Sequence, residues 1–330
     1  MLCGVLLLAR VIVLLRLLAL AFLAAVSLVA AVVVGSVHLD WTTLWQGDGG
    51  AARAILFDLR LPRAIGAFAC GGLLAVAGAL MQVLLRNPLA DPYVLGISGG
   101  AAVGALLALL LGAASLVVAG ASFAGALAAV LLVFALAHGD GSWTQTRLLL
   151  TGVIVAAGAG AVVSLILSIA PDHLLRGMVF WLMGDAGQIS TPWPALALLL
   201  GGLALAMPFA RDLNALSRGA MLAQALGVRV ARLRALVYFL SALLTAGAVT
   251  TAGSIGFVGL VVPHLVRMLV GNDQRRLLPA AALAGGTLLT LADTLARVMV
   301  APQQLPVGVL TAMLGVPSFL FLLSRQPRSP

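Results

Sequence analysis

The sequence predicts an all-α polytopic membrane protein with about ten transmembrane helices, and three features of it lead to that fold class. Of its 330 residues, 62% are hydrophobic and only 9% are charged, and the mean hydropathy is +1.17. A soluble domain cannot cover so much apolar side chain with a polar surface. The apolar residues also form runs near the roughly 17–25 residues that a helix needs to cross a bilayer. We therefore interpret residues 1–330 as a single transmembrane domain.

The spans follow one another with few interruptions. Two long runs each predict a pair of spans: 94–137 with a turn near Gly112, and 235–266 with a break at Gly253, Ser254 and Gly256. The single spans are 17–37, 64–85, 148–170, 186–210, 277–296 and 307–323. Arg10 and Arg16 before the first run resemble a signal peptide, but the run is too long and has no clear cleavage site. We expect it to be a retained first span.

The charges indicate an orientation for the chain. All basic residues other than histidine are Arg and all acidic residues are Asp. With the N-terminus inside, most of the arginines fall on the cytoplasmic side, as the positive-inside rule requires; they are Arg86, Arg147, those of the segments 211–234 and 267–276, and the tail residues Arg325 and Arg328. The other side receives Arg53, Arg60, Arg63, Arg176 and Arg297, with Asp40, Asp48, Asp58 and Asp172. Ten spans then place both termini in the cytoplasm.

The composition excludes several classes of activity. Without Lys the chain cannot form a Walker A loop, and without Glu it cannot form an H-E-x-x-H zinc site. Cys3 and Cys70 provide neither a disulfide framework nor a metal-ligand spacing, and the four histidines do not cluster with acids. Because the net charge of +9 follows the span ends, it does not indicate nucleic-acid binding. We expect no enzyme activity, no cofactor and no metal site.

One polar segment, RNPLADPYVLGISGG (86–100), interrupts the apolar sequence. Its prolines, Pro88 and Pro92, remove backbone donors and disfavour helix at the preceding residues. Asn87 and Asp91 have side chains that can satisfy the freed backbone groups, and Arg86 precedes them. The segment is either a turn between two spans or a structured corner that supports a pathway, because irregular backbone at membrane depth must be buried in protein or line water. The residues alone leave both interpretations open.

Six motifs occur in one order along the chain. They are LRLPR (59–63), RNPLADPYVLG (86–96), FWLMGD (180–185), GSIGFVGLVVPHLVRMLVGNDQRRLLP (253–279), LADTLAR (291–297) and LPVGVLTAMLGVPSFLFLL (305–323). Together they closely resemble the permease subunits of ABC importers for iron chelates (siderophore or haem) and cobalamin, the FecCD/BtuC-like family. The resemblance runs from about residue 55 to 324.

The resemblance implies an architecture and a set of partners. The fold would be the BtuC-like permease fold of type II ABC importers, in the bacterial inner membrane. The permease would form a homodimer with the pathway between its subunits. Two cytoplasmic ATPase subunits and an extracytoplasmic substrate-binding protein would complete the importer. The resemblance does not distinguish siderophore, haem and cobalamin, and Gln304 stands where relatives usually carry Glu.

Three arginines receive a docking role from the resemblance. Arg60, Arg63 and Arg297 match positions at which arginines form salt bridges with glutamates of the binding protein. Arginines on the outer side oppose the positive-inside trend, and guanidinium–carboxylate pairing suits an interface. A purely structural interpretation pairs Arg297 with Asp293 one helical turn earlier, and Arg60 with Asp58. We expect docking.

The segment 211–234 resembles the family's coupling loop, which consists of two short helices that fit a cleft on the ATPase. Its predicted contact residues are Leu216, Arg218, Gly219, Met221, Leu222, Leu226 and Gly227. Apolar residues at helical spacing argue against a merely solvated basic linker. Ala220 and Met221 occupy positions that are usually acidic in the family, which predicts that a charge contact to the ATPase is either missing or replaced by apolar burial.

The fifth span is expected, by the resemblance, to line the pathway. Its small and weakly polar residues are Thr151, Gly152, Ala156, Gly160 and Ser164. Helix packing explains each of them equally well.

The transport role that the resemblance implies also favours one interpretation of the segment 86–100. We expect a cytoplasmic corner that ties two pathway-supporting helices together, with its polar residues buried against the bundle.

The competing class is a secondary transporter driven by a proton or ion gradient. Its main support is Asp293, an acid inside an apolar span. Arg297, one turn away, offers a structural partner for the same carboxylate. A channel is not supported, because no filter or charged ring motif occurs.

Overall fold

The computed structural model describes residues 2–37, 50–137 and 144–324. Asp40, Asp48, Arg325 and Arg328, which contributed to the predicted orientation, lie outside these residues. Within the described part all regular structure is helical. The α-helices are α1 (Leu2–Val33), α2 (Gly50–Ala54), α3 (Leu61–Leu84), α4 (Ile97–Leu110), α5 (Ser115–Ala137), α6 (Gln145–Ile169), α7 (Asp172–Met183), α8 (Trp193–Ala206), α9 (Ala210–Arg218), α10 (Ala220–Ala225), α11 (Val230–Ala252), α12 (Val258–Val270), α13 (Gln274–Val298) and α14 (Val307–Ser324).

Ten helical segments correspond one to one with the predicted spans. In the described part of the chain, seven helical stretches are long and apolar enough to cross a membrane, and three shorter apolar helices, α4, α12 and α14, complete the set. The predicted fold class is therefore confirmed. The sixth span begins later than predicted: α8 starts at Trp193, because Gly184, with a positive φ of 78°, and Pro192 interrupt the helix, and only a short 3-10 helix (Ala186–Gln188) lies between them.

The core is built around α3, whose residues are buried along almost the whole helix. It packs against α13, α11, α12 and α8. Glycines allow the closest approaches, since a Cβ at Gly71 would overlap the carbonyl oxygen of Gly285, and a Cβ at Gly78 would overlap that of Gly259. Such contacts supply dispersion attraction where no hydrophobic effect drives helices together in lipid. Helix α3 is thus the central helix of the bundle.

A second group, α4, α5 and α6, packs beside this core. Gly100 and Gly104 on α4 meet Gly125 and Ala121 on α5 at backbone distance. Helix α6 contacts α4 and α5, while apolar side chains on its remaining faces are exposed, as they are on α1 and α14. These exposed faces suit hydrocarbon or another subunit, but not water.

The two ends of the bundle differ in charge. We call one the arginine-rich end; its arginines are Arg16, Arg86, Arg147, Arg211, Arg218, Arg229, Arg232, Arg234, Arg267, Arg275 and Arg276. Hydrogen bonds join its segments, since Gln145 donates to the Leu84 carbonyl and Asn214 to Asp273. We call the other the Asp293 end, where Arg60, Arg63, Asp293, Arg297 and Gln304 meet. This segregation agrees with the predicted grouping of charges.

A side chain at Gly78 is expected to disrupt the central packing. We expect Gly78→Val to lower the free energy of unfolding by at least about 1–3 kcal/mol, because α3 and α12 must separate. Gly120→Val on α5 is the matched control, since a Cβ there meets nothing within 4 Å. Thermal unfolding in detergent checks both. Equal unfolding temperatures for the two variants would contradict the assigned contact.

Candidate functional site

A buried ion cluster lies at the Asp293 end. The Asp293 carboxylate is 1% exposed and accepts three hydrogen bonds from Arg63, two from Nε at 3.1 and 3.0 Å and one from Nη2 at 2.8 Å. Arg297 Nε lies 3.3 Å from Oδ2 of the same carboxylate. Gln304 Oε1 accepts a 2.7 Å hydrogen bond from Arg63 Nη1. One carboxylate thus holds a guanidinium of α3 and one of α13.

Arg297 and the neighbouring Arg60 also bind the end of α1. Arg60 Nη1 donates to the carbonyls of Val32 and Val33, at 3.0 and 2.8 Å, and Nη2 donates to that of Val37. Arg297 Nη2 donates to the Ala31 carbonyl at 3.0 Å. The last carbonyls of a helix have no partner within it and carry the negative end of its dipole, so cations are favourable there. The pair between Arg60 and Asp58 that we considered is not formed.

The arginines predicted for docking are therefore occupied within the chain. Arg60, Arg63 and Arg297 are each buried, and yet all three line an open cavity of about 330 Å³. Of the described residues on the lining of this cavity, Asp58 is the acid, and the lining also includes Gln188 and Gln304. The pairing of Arg297 with Asp293 matches the structural interpretation. Docking at these residues stays a prediction.

The polar corner between α3 and α4 is anchored to the break between α11 and α12. Asp91 accepts a 2.8 Å hydrogen bond from the backbone N–H of Tyr93. The Tyr93 hydroxyl donates to the Ile255 carbonyl at 3.0 Å and accepts from the Ile255 N–H at 3.1 Å. Ser98 and Ser254 are hydrogen-bonded at 2.7 Å. The corner thereby satisfies backbone groups that the interrupted helix leaves without partners.

Only half of this corner is buried. We had expected its polar residues to lie against the bundle, but Arg86, Asn87 and Pro88 are exposed, whereas Pro92 is buried. The charged guanidinium and the amide stay solvated, and Asn87 instead closes a local turn by accepting from the Leu89 N–H at 2.9 Å. Sequence reasoning also missed Tyr93, although its isolated aromatic hydroxyl in an apolar stretch is a signal for a buried hydrogen bond.

The coupling segment forms two short helices, as the resemblance implies. Gly219 separates α9 from α10 with φ 136° and ψ 147°, a conformation that only glycine adopts readily. On α10 and the following turn, Met221 is 85% exposed, and Leu222 and Leu226 are exposed as well. Arg218 and Gly227 are also at the surface. These residues form a surface that a partner could cover.

Leu216 is wrong as a contact residue. It is 1% exposed and lies in the core, because α9 is amphipathic and directs Leu213 and Leu216 inward. It supports the segment and does not reach its surface.

Helix α9 is tied to the start of α13 by residues that sequence reasoning did not select. Asn214 Nδ2 donates to Asp273 Oδ1 at 2.8 Å, and Asn214 Oδ1 accepts from the Gln274 N–H at 2.8 Å. Burial opposes ionisation of Asp273, but these hydrogen bonds and two nearby arginines outweigh it, so the Asp273 pKa is lowered. The available signal was the Asn-Asp-Gln run, which is typical of a helix N-terminus.

The predicted pathway residues divide into two groups. Gly152 is buried and touches the Val94 carbonyl, and Ala156 packs near Gly96 and Gly99, so these two serve packing against the corner and α4. Gly160 and Ser164 are exposed, and Thr151 is partly buried. Nothing in the single chain tests their place on a pathway. Among the described residues, no three His, Cys, Asp or Glu side chains come close enough to hold a metal ion.

Known proteins share this arrangement of helices. The model of the FecCD transport family matches residues 21–325, which include every candidate residue described above. The chain belongs to the FecCD transport family. The permease fold and the family resemblance predicted from the sequence motifs are thus confirmed.

Individual family members and a solved structure are similar to this chain over most of its length. It is 44% identical over 304 residues to the hemin transport system permease protein HmuU of Yersinia pestis, covering 89% of this chain and 90% of the relative. It is 43% identical over 279 residues to the cobalamin import system permease protein BtuC of Halobacterium salinarum, covering 82% and 74%. A metal-chelate type ABC transporter in an inward-facing conformation superposes with a TM-score of 0.82 at 33% identity, over 94% of this chain and 98% of that one.

Removing the Asp293 carboxylate is expected to destabilise the fold. We expect Asp293→Ala to cost about 3–5 kcal/mol in the free energy of unfolding, because it leaves Arg63 and Arg297 buried without a counter-ion. Asp293→Asn should cost less, since its amide oxygen still accepts a hydrogen bond. Asp172→Ala, at an exposed acid in the first turn of α7, is the control. Chemical unfolding in detergent measures all three, and an Asp293→Ala variant as stable as the control would refute the role.

Proposed function

We propose that the chain is the membrane-spanning permease subunit of a binding-protein-dependent ABC importer in the bacterial inner membrane. Its substrate would be an iron chelate (siderophore or haem) or cobalamin, and a separate ATPase subunit would hydrolyse ATP. The family match over residues 21–325 supports this, as do relatives named for hemin and cobalamin transport. The observation that most supports this proposal is a single helical bundle with a guanidinium-lined cavity at one end and an exposed apolar two-helix segment at the other.

The arginine-rich end is proposed to contact the ATPase. Met221 and Leu222 present apolar surface from α10, which is costly to leave in water and suits a cleft on a partner. Asn214 ties the adjacent helix α9 to α13, so a push on this segment would reach a helix that runs through the core. This assignment places the segment 211–234, and with it both termini, in the cytoplasm.

The Asp293 end is proposed to receive the substrate-binding protein outside the cytoplasm. Its cavity presents three guanidinium groups to two nearby carboxylates, Asp293 and Asp58. The excess positive charge favours carboxylates brought by a partner, and bidentate pairing gives such contacts geometric specificity.

A homodimer is proposed for the membrane-embedded unit. Apolar side chains cover the outer faces of α6 and α14 in the single chain. Gly160 and Ser164 on α6 would then face a pathway between two subunits, while the other exposed faces meet lipid. A gradient-driven carrier using Asp293 is less well supported, because Arg63 and Arg297 already neutralise that carboxylate.

Reconstitution tests the function. We expect vesicles containing the permease, its ATPase and its binding protein to take up cobalamin, haem or a ferric siderophore only when ATP is supplied. Uptake that persists without the ATPase and collapses with the proton gradient would overturn the importer proposal and favour the carrier.

A charge removal tests the docking role. We expect Arg60→Gln to weaken binding of the binding protein about tenfold or more, because a charge-assisted hydrogen bond contributes about 1.5–3 kcal/mol. Arg176→Gln, at an exposed arginine of α7, is the matched control. Surface plasmon resonance on nanodiscs measures the affinity, with thermal unfolding to confirm folding. A folded Arg60→Gln variant that binds like the control would remove Arg60 from the docking surface.

An acidic residue on α10 tests the coupling surface. Leu222→Asp is expected to reduce assembly with the ATPase at least tenfold, because burial of an unpaired carboxylate at the interface is unfavourable. Gln224→Asp places the same charge at another exposed position of α10 and serves as the control. Co-purification of the ATPase with each variant gives the measurement. Equal recovery would show that α10 does not contact the ATPase.

A further inference from the structure

A second cavity, of about 480 Å³, lies at the arginine-rich end. It is bounded by the turn that follows α8, by the start of α9, by the loop 226–229 between α10 and α11, and by the first turns of α11. Its lining includes Phe209, Leu233 and Leu236 on the apolar side, and Arg229 and Arg232 on the polar side. Leu226 and Gly227 on the lining also belong to the segment proposed to contact the ATPase, whereas the proposed roles of the Asp293 end do not involve this cavity.

The polar side of the cavity carries excess positive charge. Arg229 immediately precedes α11 and Arg232 lies in its first turn, and both line the cavity. Both are exposed, and neither guanidinium has a hydrogen bond or ion pair to another described residue. Among the described residues, Asp212 is the single acid on the lining. The cavity therefore favours an anion.

An apolar track continues from the arginines along α11. Arg232, Leu236, Phe239 and Leu243 follow the spacing i, i+4, i+7 and i+11, which keeps them on one helix face. Phe239 and Leu243 are exposed, and Leu205 is exposed on α8, which packs against α11. The track leads from the cavity towards the depth at which α8 and α11 cross the membrane. A polar head followed by an apolar length is the shape of a lipid.

We propose that this cavity binds the headgroup of an anionic phospholipid, with its acyl chains along the track on α11 and α8. Guanidinium groups pair well with phosphate, and basic pockets between membrane helices retain anionic lipids. A soluble phosphate would use the arginines but leave the track uncovered. An acidic protein segment would do the same, because the track runs into hydrocarbon. The proposal does not depend on which substrate the permease carries.

The test uses the purified full chain in detergent. Native mass spectrometry titrates dioleoyl phosphatidylglycerol, with dioleoyl phosphatidylcholine as the neutral comparison. We expect the variant with both Arg229→Gln and Arg232→Gln to raise the apparent Kd for phosphatidylglycerol about thirtyfold, from about 1 kcal/mol per arginine. Arg275→Gln removes an exposed arginine at the same end, outside the cavity, and should change it less than twofold.

Further arms separate the sources of the anion. Changing Phe239 and Leu243 to Gln should weaken the dioleoyl lipid at least fivefold and leave short-chain dihexanoyl phosphatidylglycerol unchanged. A double arginine variant that retains lipid like Arg275→Gln overturns the proposal. Displacement of the lipid by millimolar inorganic phosphate, with no effect of the track variants, would make this a small-anion site. Unchanged lipid retention with lost ATPase assembly would make it a protein contact.

Discussion

The arrangement of the Asp293 end depends on one buried carboxylate. Asp293 on α13 would be unfavourable alone in a low-dielectric interior, and Arg63 and Arg297 compensate it with hydrogen bonds and close ion contact. Arg297 and Arg60 then bind the last carbonyls of α1. Three helices that are distant in sequence thus share one charge network. Any ligand carboxylate arriving here would meet guanidinium groups that already have partners, so docking and the position of α1 involve the same atoms.

Helix α13 also reaches the opposite end of the molecule. There Asp273 caps its first turn and accepts a hydrogen bond from Asn214 of α9, next to the exposed surface of α10. Between the two ends, Gly285 on α13 packs at backbone distance against Gly71 on α3. The proposed binding-protein site and the proposed ATPase site therefore lie at the two ends of one tightly packed helix. This contiguity is a spatial relation, and transmission along it requires two discrete arrangements of the helix.

The errors of sequence reasoning have identifiable physical causes. Leu216 was grouped with Met221, Leu222 and Leu226 because these apolar residues follow helical spacing, but the 3.6-residue period of α9 directs Leu216 inward. The corner looked uniformly buried, although Arg86 and Asn87 keep their solvation. The sixth span looked longer than α8, because hydropathy does not register the irregular backbone around Gly184. In each case the residue types indicated what kind of segment to expect, but not which side chains the fold buries or where the helix begins.

Composition and span length determined that this is a helical membrane protein with about ten spans, because the hydrocarbon core dictates apolar runs of roughly fixed length. Ordered motifs determined the family, and the glycines at 219 and 227 marked the turns of the coupling segment. Only the tertiary structure decided that Arg63 pairs with Asp293, that Arg60 caps α1, and that Tyr93 supports Ile255. Those partners are separated by 230, 27 and 162 residues, and no local periodicity encodes such distances.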